Sequence, residues 1–403
     1  FFKETFPFVD LLKIKSSYGI VGSDITFGNR YLYQQVYQNG GGQVFGESNL
    51  NYPTVYEGNL GNPSVTWEKA RKFNVGIDGN MFKDKFSFEV NYFYDYRFDQ
   101  LVTREDIPLI LGIGISPNNI AETSNQGFDG QVGYQDSFGD FQFNTNLVFS
   151  YAKNKVLYKA EAQQAYPWLA ETGQPIGQPF GYTYIGFYSQ QDVSTLNDEN
   201  PDNDVAVPLS DIPIQAGDLK YRDLNNDGVI NNFDQSPIGK PNLPTTTLGL
   251  SMGLNYKGFS ARILFQGSFD YSFSVVGTGI EPFKSQFQPL HLQRWTPQTA
   301  STAEFPRLTS NPSTVNSSAA YMSDFWLVDA WYVRLKTIDL GYQFPDSWLP
   351  FDINSARVYI NAYNLFTVTS YDKYQQDPEI STNTAGDSYF NQKVMNLGFQ
   401  IGF

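Results

Sequence analysis

The sequence contains no cysteine, which excludes disulfides, thiolate metal sites and cysteine-based catalysis. It contains one histidine, His291, which is too few for a zinc site built from several histidines. The stretch around His291 predicts a short helix in a loop, and no partner arrangement for catalysis is visible there. No spacing singles out a pair of carboxylates for glycosidase chemistry. We therefore expect a structural or surface role for His291 and no enzymatic activity.

Positive charge is also scarce. Lys and Arg number 27 against 41 Asp and Glu, which gives a net charge of −14. No basic patch is available to neutralise phosphates, so we expect no nucleic-acid partner. No run comes near the roughly eighteen apolar residues of a transmembrane helix, and none is predicted. The chain begins at Phe1 without a methionine or a signal peptide, so we expect it to be part of a larger protein.

Aromatic residues are abundant at 17% of the chain, mostly 34 Phe and 27 Tyr, types that favour strands and membrane interfaces. The last eleven residues, KVMNLGFQIGF, alternate strictly between apolar and small or polar side chains. This period of two predicts a strand with one apolar and one polar face. Its apolar face ends in Phe399, Ile401 and Phe403, which suits a transmembrane β-barrel, although an edge strand of a soluble sandwich fits this stretch equally well.

The same alternation recurs along the chain and predicts ten strands. They cover residues 11–18, 72–81, 86–97, 127–134, 141–151, 248–256, 259–269, 332–344, 357–364 and 393–403. The connections alternate between long and short, and Lys257-Gly258 is predicted to form a two-residue hairpin turn. Outer-membrane barrels have short periplasmic turns and longer extracellular loops, whereas a soluble sandwich has no reason to sort its loops in this way. We therefore predict an all-β fold, a transmembrane antiparallel β-barrel.

The loop lengths also predict an orientation, with the last strand ending at the periplasmic face and every long connection outside the cell. The longest connection, residues 154–244, is then an extracellular loop. Arg334 and Lys336 lie at the extracellular end of a strand, where they would meet lipopolysaccharide phosphates unless a β-bulge reorients them. Trp326 and Trp331 flank the same strand end and are predicted to anchor it at the membrane interface.

Within that longest connection, residues 223–234 (DLNNDGVINNFD) have the spacing of a calcium-binding loop. Oxygen donors fall at positions 1, 3, 5, 7, 9 and 12, which are Asp223, Asn225, Asp227, the carbonyl of Val229, Asn231 and Asp234. Gly228 occupies the sharp turn at position 6. Hard oxygen donors without His or Cys favour Ca²⁺, whereas the alternative is a turn that is simply polar. We predict a structural Ca²⁺ ion that cancels the self-repulsion of this acidic loop.

Five blocks resemble the SusC/RagA family of TonB-linked outer-membrane transporters. They are residues 12–22 (LKIKSSYGIVG), 62–79 (NPSVTWEKARKFNVGIDG), 125–133 (NQGFDGQVG), 332–344 (YVRLKTIDLGYQF) and 357–366 (RVYINAYNLF). The blocks follow the order of the family and span nearly the whole chain. The block GDLKYRDLNNDGVI at residues 217–230, which overlaps the calcium-type loop, is also a recurrent feature of the family.

The resemblance implies that residues 1–403 are the C-terminal part of a barrel of about 22 strands, whose plug domain lies outside this chain. It implies location in the outer membrane of a Gram-negative bacterium, energy supplied through TonB, and a SusD-like surface lipoprotein as a lid. It implies import of oligosaccharides or peptides. It also implies that the barrel assembly machinery recognises Phe403, together with Ile401 and Phe399.

Aromatic side chains in the predicted loops are candidates for stacking on sugar rings, but they could equally pack loops together or contact the lipoprotein. They are Tyr31, Tyr33, Tyr37, Trp168, Tyr182, Trp295 and Tyr371. Two further hypotheses stay open at the level of sequence. One is a passive porin or adhesin barrel, whose loops bind ligand without active import. The other is a soluble, calcium-binding all-β protein that binds carbohydrate.

Overall fold

Ten long strands form one antiparallel sheet in the computed structural model, which describes residues 6–24, 30–47, 50–196, 205–276, 287–350, 352–380 and 389–403. The ten strands follow each other in the sheet in chain order. They are β1 (Val9–Ser23), β6 (Glu68–Met81), β7 (Phe86–Val102), β8 (Asn118–Phe138), β9 (Phe141–Tyr158), β16 (Thr246–Tyr256), β17 (Phe259–Ser274), β18 (Leu327–Gln343), β19 (Ser355–Thr369) and β20 (Val394–Gly402). All ten predicted strands are thus confirmed, and most are longer than predicted.

The other strands are short and lie in the long connections. They are β2 (Tyr37–Asn39), β3 (Gln43–Phe45), β4 (Leu50–Tyr52), β5 (Val55–Glu57), β10 (Phe180–Gly181), β11 (Tyr184–Phe187), β12 (Val207–Pro208), β13 (Leu219–Tyr221), β14 (Val229–Ile230) and β15 (Ser236–Pro237).

Helical structure is minor. The one α-helix among the described residues is Gln190–Leu196. Single turns of 3₁₀ helix occur at Leu109–Leu111, Pro167–Leu169, Asn232–Asp234, Pro289–Gln293, Thr314–Asn316, Asp324–Trp326, Asp346–Trp348 and Asp372–Tyr374. In the described part of the chain, no helix is long and apolar enough to cross a membrane.

The short connections explain how adjacent strands turn back. Phe82, Lys83 and Asp84 all have positive φ between β6 and β7. Lys257 and Gly258, with φ of 46° and 86°, join β16 to β17 as the predicted two-residue turn. Positive φ at both central residues matches the twist of a hairpin and is tolerated best where one residue is glycine. These local turns fix the register of each hairpin.

The two faces of the sheet differ in chemistry, as the alternation predicts. On β20, Met395, Leu397 and Phe399 are 69, 76 and 60% exposed on one face. Across β19 and β20 the amide of Asn396 donates a hydrogen bond to Asn361 Oδ1 at 2.9 Å on the other face. Apolar side chains exposed in rows are stable where lipid covers them, whereas the polar face suits water. Apart from its long loops, the sheet therefore has the chemistry of a barrel wall.

The buried core lies at the end of the sheet opposite the short turns, where long connections fold together. We call this unit the loop cap: residues 180–196, 205–238, 287–328 and 371–374, packed on the ends of β17 and β18. Its buried apolar residues are Tyr182, Leu219, Tyr221, Ile230, Tyr271, Phe273, Val275, Phe305, Val315, Tyr321, Trp326, Ala330, Tyr332, Tyr371 and Tyr374. A core of this size shows that these connections are folded structure.

The predicted interfacial role of Trp326 is wrong. Its side chain is 0% exposed and packs in the loop cap at 4.9 Å from the ring of Phe325. Trp331 is 39% exposed on β18 and stacks on Phe269 at 6.3 Å, so a position at the interface is compatible with its exposure. A tryptophan just before a strand has the same sequence pattern whether lipid or a folded loop covers it.

The predicted contact of Arg334 with lipopolysaccharide is also wrong. Arg334 is 3% exposed, and its guanidinium pairs with carboxylates of the chain. The register of β18 against both neighbours shifts between Leu335 and Thr337, which is the β-bulge that the sequence left as the alternative. The extra residue turns the Arg334 side chain to the polar face.

Candidate functional site

The polar face of the sheet carries a ladder of paired side chains across neighbouring strands. Lys15 on β1 contacts Asp78 on β6 at 2.8 Å and also pairs with Glu89 on β7. The amide of Asn91 on β7 donates to Asp129 on β8 at 2.9 Å. Such pairs are partly exposed, so each contributes little to stability, but together they make a wall that water wets. This face is suited to line an aqueous lumen.

A second polar network holds the connection between β19 and β20 against β18. Arg334 Nη2 donates to Asp377 at 2.8 Å, and Arg334 Nη1 donates to Glu379 at 2.7 Å. Lys336 Nζ also contacts Glu379, at 2.7 Å. The side chains of Arg334 and Asp377 are 4 and 7% exposed, so water screens this pair weakly. The network fixes the path of residues 377–379 over the polar face.

The loop cap is joined internally by the buried carboxylate of Asp218. This side chain is 0% exposed and accepts hydrogen bonds from Arg307 Nε at 2.6 Å, Ser313 Oγ at 2.7 Å and Asn316 Nδ2 at 2.8 Å. The backbone N–H of Gln215 donates a further bond at 2.9 Å. These donors come from two different long connections, so Asp218 ties the two together. No motif or spacing in the sequence distinguishes this carboxylate from other acidic residues.

The calcium-type loop folds back on itself through its own side chains. Asp223 accepts hydrogen bonds from the backbone N–H groups of Asn226 at 2.7 Å and Gly228 at 2.8 Å. Asn226 and Gly228 have φ of 57° and 81°, which makes the sharp turn expected at the sixth position. Asp227 Oδ1 accepts from the backbone N–H of Val229 at 2.9 Å. The carboxylates of Asp223 and Asp227 therefore accept hydrogen bonds from backbone N–H groups of the loop itself.

The end of the loop is buried in the loop cap. Ile230 and Asp234 are both 0% exposed. Asp234 accepts from the backbone N–H groups of Leu224 at 2.8 Å and Asn231 at 2.8 Å, so it closes the loop on its own start. Burial raises the pKa of the Asp234 carboxyl, and the neighbouring carboxylate of Asp223 raises it further. A cation at this position would offset both effects.

The fit of this loop to a metal ion rests on its donor chemistry. Within the described residues, no group of three or more His, Cys, Asp or Glu is placed to hold a metal. The predicted set contains only three carboxylates, from Asp223, Asp227 and Asp234, and is completed by amide and peptide oxygens. Those oxygen types are ligands that Ca²⁺ accepts. The six residues fit a Ca²⁺ ion chemically, and its binding stays a prediction.

The loop aromatics divide into buried and exposed groups. Tyr182 and Tyr371 are 3 and 0% exposed, so packing is their role and they are closed to sugar rings in this fold. Trp168 stacks on Tyr166 at 4.6 Å and donates its indole N–H to the carbonyl of Phe233 at 2.9 Å. Trp295 is partly buried. Tyr31, Tyr33 and Tyr37 stay exposed at 63, 52 and 63%.

His291 lies in the predicted short helix and has a structural environment. It is 2% exposed, and its Nδ1 accepts the backbone N–H of Gln288 at 2.8 Å. Its ring lies edge-on to Phe305 at 5.5 Å. The strand residues predicted for assembly, Phe399, Ile401 and Phe403, are 60, 39 and 82% exposed.

The sequence of this chain is similar to those of TonB-dependent receptors. No protein-family model matches the chain. The TonB-dependent receptor P3 of Formosa agariphila is 25% identical over 97% of this chain and 39% of its own length. The TonB-dependent receptor SusC of Bacteroides thetaiotaomicron is 22% identical over 97% of this chain and 37% of its own length. The chain spans about two fifths of the length of the curated relatives it matches.

Solved structures give the same fold. The RagAB peptide importer in the open-open state aligns with a TM-score of 0.71 and 22% identity, over 98% of this chain and 40% of that chain. The RagAB peptide transporter aligns with a TM-score of 0.69 over all of this chain and 42% of that chain. The hypothesis of a soluble all-β protein is therefore wrong. The predicted resemblance to the SusC/RagA family is confirmed along the whole chain, which forms part of an outer-membrane β-barrel related to these TonB-dependent receptors.

Proposed function

We propose that this chain is part of a transporter that imports oligosaccharides or peptides across the outer membrane with energy supplied through TonB. The observation that carries the proposal is the match to TonB-dependent receptors along 97% of the chain. The polar ladder on one face and the apolar rows on the other support it, because import requires a water-lined passage through lipid. Contacts with TonB would belong to parts of the protein outside this chain.

The competing functions are those of a passive porin and of an adhesin barrel. An uptake experiment distinguishes energised import from both. Cells carrying the intact protein, and matched deletion cells, are fed a peptide digest or a mixture of plant oligosaccharides, and depletion of each component is followed by mass spectrometry. Energised import predicts uptake that needs the protein and stops when a protonophore collapses the proton gradient. Uptake that continues down a gradient with the protonophore present would indicate a porin. Binding without entry would indicate an adhesin.

A SusD-like surface lipoprotein is the partner that this proposal includes. The short antiparallel pairs β2–β5 and β3–β4 carry exposed apolar and aromatic side chains, among them Tyr37, Phe45 and Tyr56 at 63, 59 and 52%. Tyrosine-rich, nearly uncharged surfaces of this kind suit protein contacts, because rigid aromatic side chains bury much area with little loss of entropy. Purification of the intact protein in mild detergent is expected to recover a lipoprotein in stoichiometric amount, and its absence would contradict this part of the proposal.

We also propose that residues 223–234 hold a structural Ca²⁺ ion, through Asp223, Asn225, Asp227, the carbonyl of Val229, Asn231 and Asp234. The positive φ at Asn226 and Gly228 and the buried, acidic end of the loop support the assignment. Chelation is expected to speed proteolytic cleavage within this loop while the barrel stays folded. Added Ca²⁺ should restore resistance. Cleavage at the same rate with and without chelator would contradict a metal there.

A further inference from the structure

Three basic side chains lie on the apolar face of the sheet, near the end that carries the long loops. They are Arg71 on β6 and Lys153 and Lys155 on β9, and all three are exposed. We call these three residues the basic rim. Tyr151 precedes Lys153 in the same outward row of β9, so the basic side chains begin where the aromatic ones end.

The register across four strands places the basic rim on one face of the sheet. Arg71 lies opposite Tyr96 of β7. Tyr96 lies opposite Ser124 of β8, which in turn lies opposite Lys155. Residues that lie opposite each other in an antiparallel pair have their side chains on the same face. Lys153 is two positions from Lys155 along β9 and therefore shares this face.

The basic rim lies at the edge of the apolar layer. Counted from the short turns, Arg71 is the eleventh residue of β6, and Lys153 and Lys155 are the thirteenth and fifteenth residues of β9. A transmembrane strand needs about 9–11 residues, so the three side chains lie at or just beyond the end of the span. Cations on the lipid-facing side are costly at the bilayer midplane and tolerated near its surface. In the predicted orientation, with the long loops outside the cell, this surface is that of the outer leaflet.

The guanidinium of Arg71 is held against aromatic side chains of β7. It lies 4.9 Å from the ring centroid of Phe98 and 5.8 Å from that of Tyr96. Tyrosine and tryptophan rings are enriched at membrane interfaces, at the level of the lipid headgroups. The rings attract the cation without neutralising it, so its N–H donors stay available to an anion.

The basic rim differs from the cations of the polar face because it has no carboxylate partner. In the described part of the chain, no Asp or Glu oxygen lies within 4.0 Å of a side-chain nitrogen of these three residues. On the polar face, by contrast, Lys15 pairs with Asp78 at 2.8 Å and Lys72 pairs with Asp95 at 3.5 Å.

Acidic side chains at the same end of the sheet have partners of their own. Asp270 pairs with Lys240 at 2.8 Å and accepts a hydrogen bond from the hydroxyl of Thr245 at 2.6 Å. Glu122 contacts the hydroxyl of Tyr96. The charge of the basic rim is therefore balanced from outside the described chain.

Phosphate is the anion that the basic rim would meet in the outer leaflet. Lipopolysaccharide carries phosphate groups on the sugars to which its acyl chains are attached, which is the level of the membrane interface. A guanidinium binds phosphate through two parallel hydrogen bonds, and a lysine ammonium binds it as a point charge. We propose that the basic rim is a binding site for the phosphate groups of lipopolysaccharide on the outward wall between β6 and β9.

This site replaces the one that the sequence predicted at Arg334, whose charge is neutralised within the chain. The inference depends on the location of the barrel in the outer membrane and on its predicted orientation. It goes beyond the import function and does not require it.

The test measures lipid binding to the intact detergent-purified protein by native mass spectrometry. The probes are bisphosphorylated lipid A, which is the membrane anchor of lipopolysaccharide, and the same lipid after enzymatic removal of its phosphates. Wild-type protein is expected to bind the bisphosphorylated form about tenfold more tightly. Excess inorganic phosphate and an equal amount of phosphatidylglycerol should not displace it, because the first has no acyl chains and the second has only one phosphate group.

Substitutions assign the binding to the basic rim. The double variant Lys153→Gln, Lys155→Gln and the single variant Arg71→Gln are each expected to weaken binding of bisphosphorylated lipid A about tenfold. Binding of the dephosphorylated lipid should change little, which also checks that the apolar wall is intact. The matched control is Lys83→Gln, Lys257→Gln, which removes two exposed lysines from short turns at the opposite end of the sheet. It should leave binding of both lipids unchanged.

Three kinds of outcome would overturn the inference. Equal binding of the phosphorylated and dephosphorylated lipids would exclude recognition of phosphate. Wild-type affinity in Arg71→Gln or in the double lysine variant, or an equal loss in the control, would exclude the basic rim as the site. Displacement by inorganic phosphate or by phosphatidylglycerol would indicate a general anion site and not one for lipopolysaccharide.

Discussion

Replacement of Asp218 by alanine should loosen the loop cap while the barrel stays intact. In the native structure the Asp218 carboxylate accepts hydrogen bonds from Arg307, Ser313 and Asn316, at 2.6, 2.7 and 2.8 Å. The side chain of Arg307 is only 12% exposed, and Ser313 and Asn316 are 1 and 7% exposed. Water therefore cannot easily replace the lost acceptor, and a buried guanidinium is left without its counterion.

The magnitude follows from that burial. Removal of one partner of a buried ion pair typically costs about 3–5 kcal/mol, because the remaining charge is uncompensated. At about 1.4 kcal/mol per factor of ten, the local opening constant of the loop cap should rise between roughly a hundredfold and a few thousandfold. The barrel strands should keep their protection, because cooperative units within one protein open with different free energies.

The assay is hydrogen exchange followed by mass spectrometry on the intact protein. Peptides that cover residues 209–222 and 305–321 should exchange faster in Asp218→Ala, whereas peptides from β6 and β7 should not change. Asp106→Ala is the matched control, because Asp106 forms an exposed pair with Arg104 at 2.9 Å outside the loop cap. Native protection of residues 209–222 and 305–321 in Asp218→Ala would refute the assigned role of this carboxylate.

Three further predictions concern other parts of the chain. Arg334→Met should release residues 377–380 from β18 and speed their proteolysis, since it leaves the mostly buried Asp377 without a cation and Glu379 with Lys336 alone. Lys373→Met removes an exposed pair with Glu304 and should not speed this cleavage; equal rates in the two variants would contradict the role of Arg334. Gly228→Ala should weaken Ca²⁺ binding by about 1 kcal/mol in a calorimetric titration, because alanine disfavours the φ of 81° at this position. An added Cβ would meet no neighbouring atom, so the effect would come from the backbone conformation alone. Unchanged affinity would argue against the proposed turn. Deletion of Phe403 should lower the amount of assembled protein in the outer membrane without changing ligand affinity, and normal surface levels would contradict its role in assembly.

The strands could be predicted from the sequence because the pattern that specifies each strand lies within the strand itself. Alternation with a period of two sets both the existence of a strand and the faces of its side chains, and turn residues such as Lys257-Gly258 set the register. The calcium-type loop was visible for the same reason, since all its proposed donors lie within twelve consecutive residues. Such patterns span only a few consecutive residues, so they can be recognised without any knowledge of tertiary contacts.

The contacts of the loop cap could not be predicted, because they join distant parts of the chain. Asp218 meets Arg307 and Asn316 at separations of 89 and 98 residues, and neither pair has a spacing that distinguishes it from other polar residues. The incorrect prediction for Trp326 has the same origin, since only the folded cap determines that this ring is buried. Arg334 was ambiguous for a different reason, because a single extra residue in β18 exchanges the two faces of the strand.

The most direct test is whether one face of the sheet contacts lipid while the other contacts water. The chain has no cysteine, so single cysteines can be introduced and spin-labelled one at a time in the membrane-embedded protein. Suitable neighbouring pairs are Val90 with Asn91 on β7, and Ile360 with Asn361 on β19. Oxygen dissolved in lipid is expected to relax labels at Val90 and Ile360, whereas a water-soluble nickel reagent is expected to relax labels at Asn91 and Asn361. Equal access of the nickel reagent to both members of each pair would contradict a membrane-spanning barrel wall.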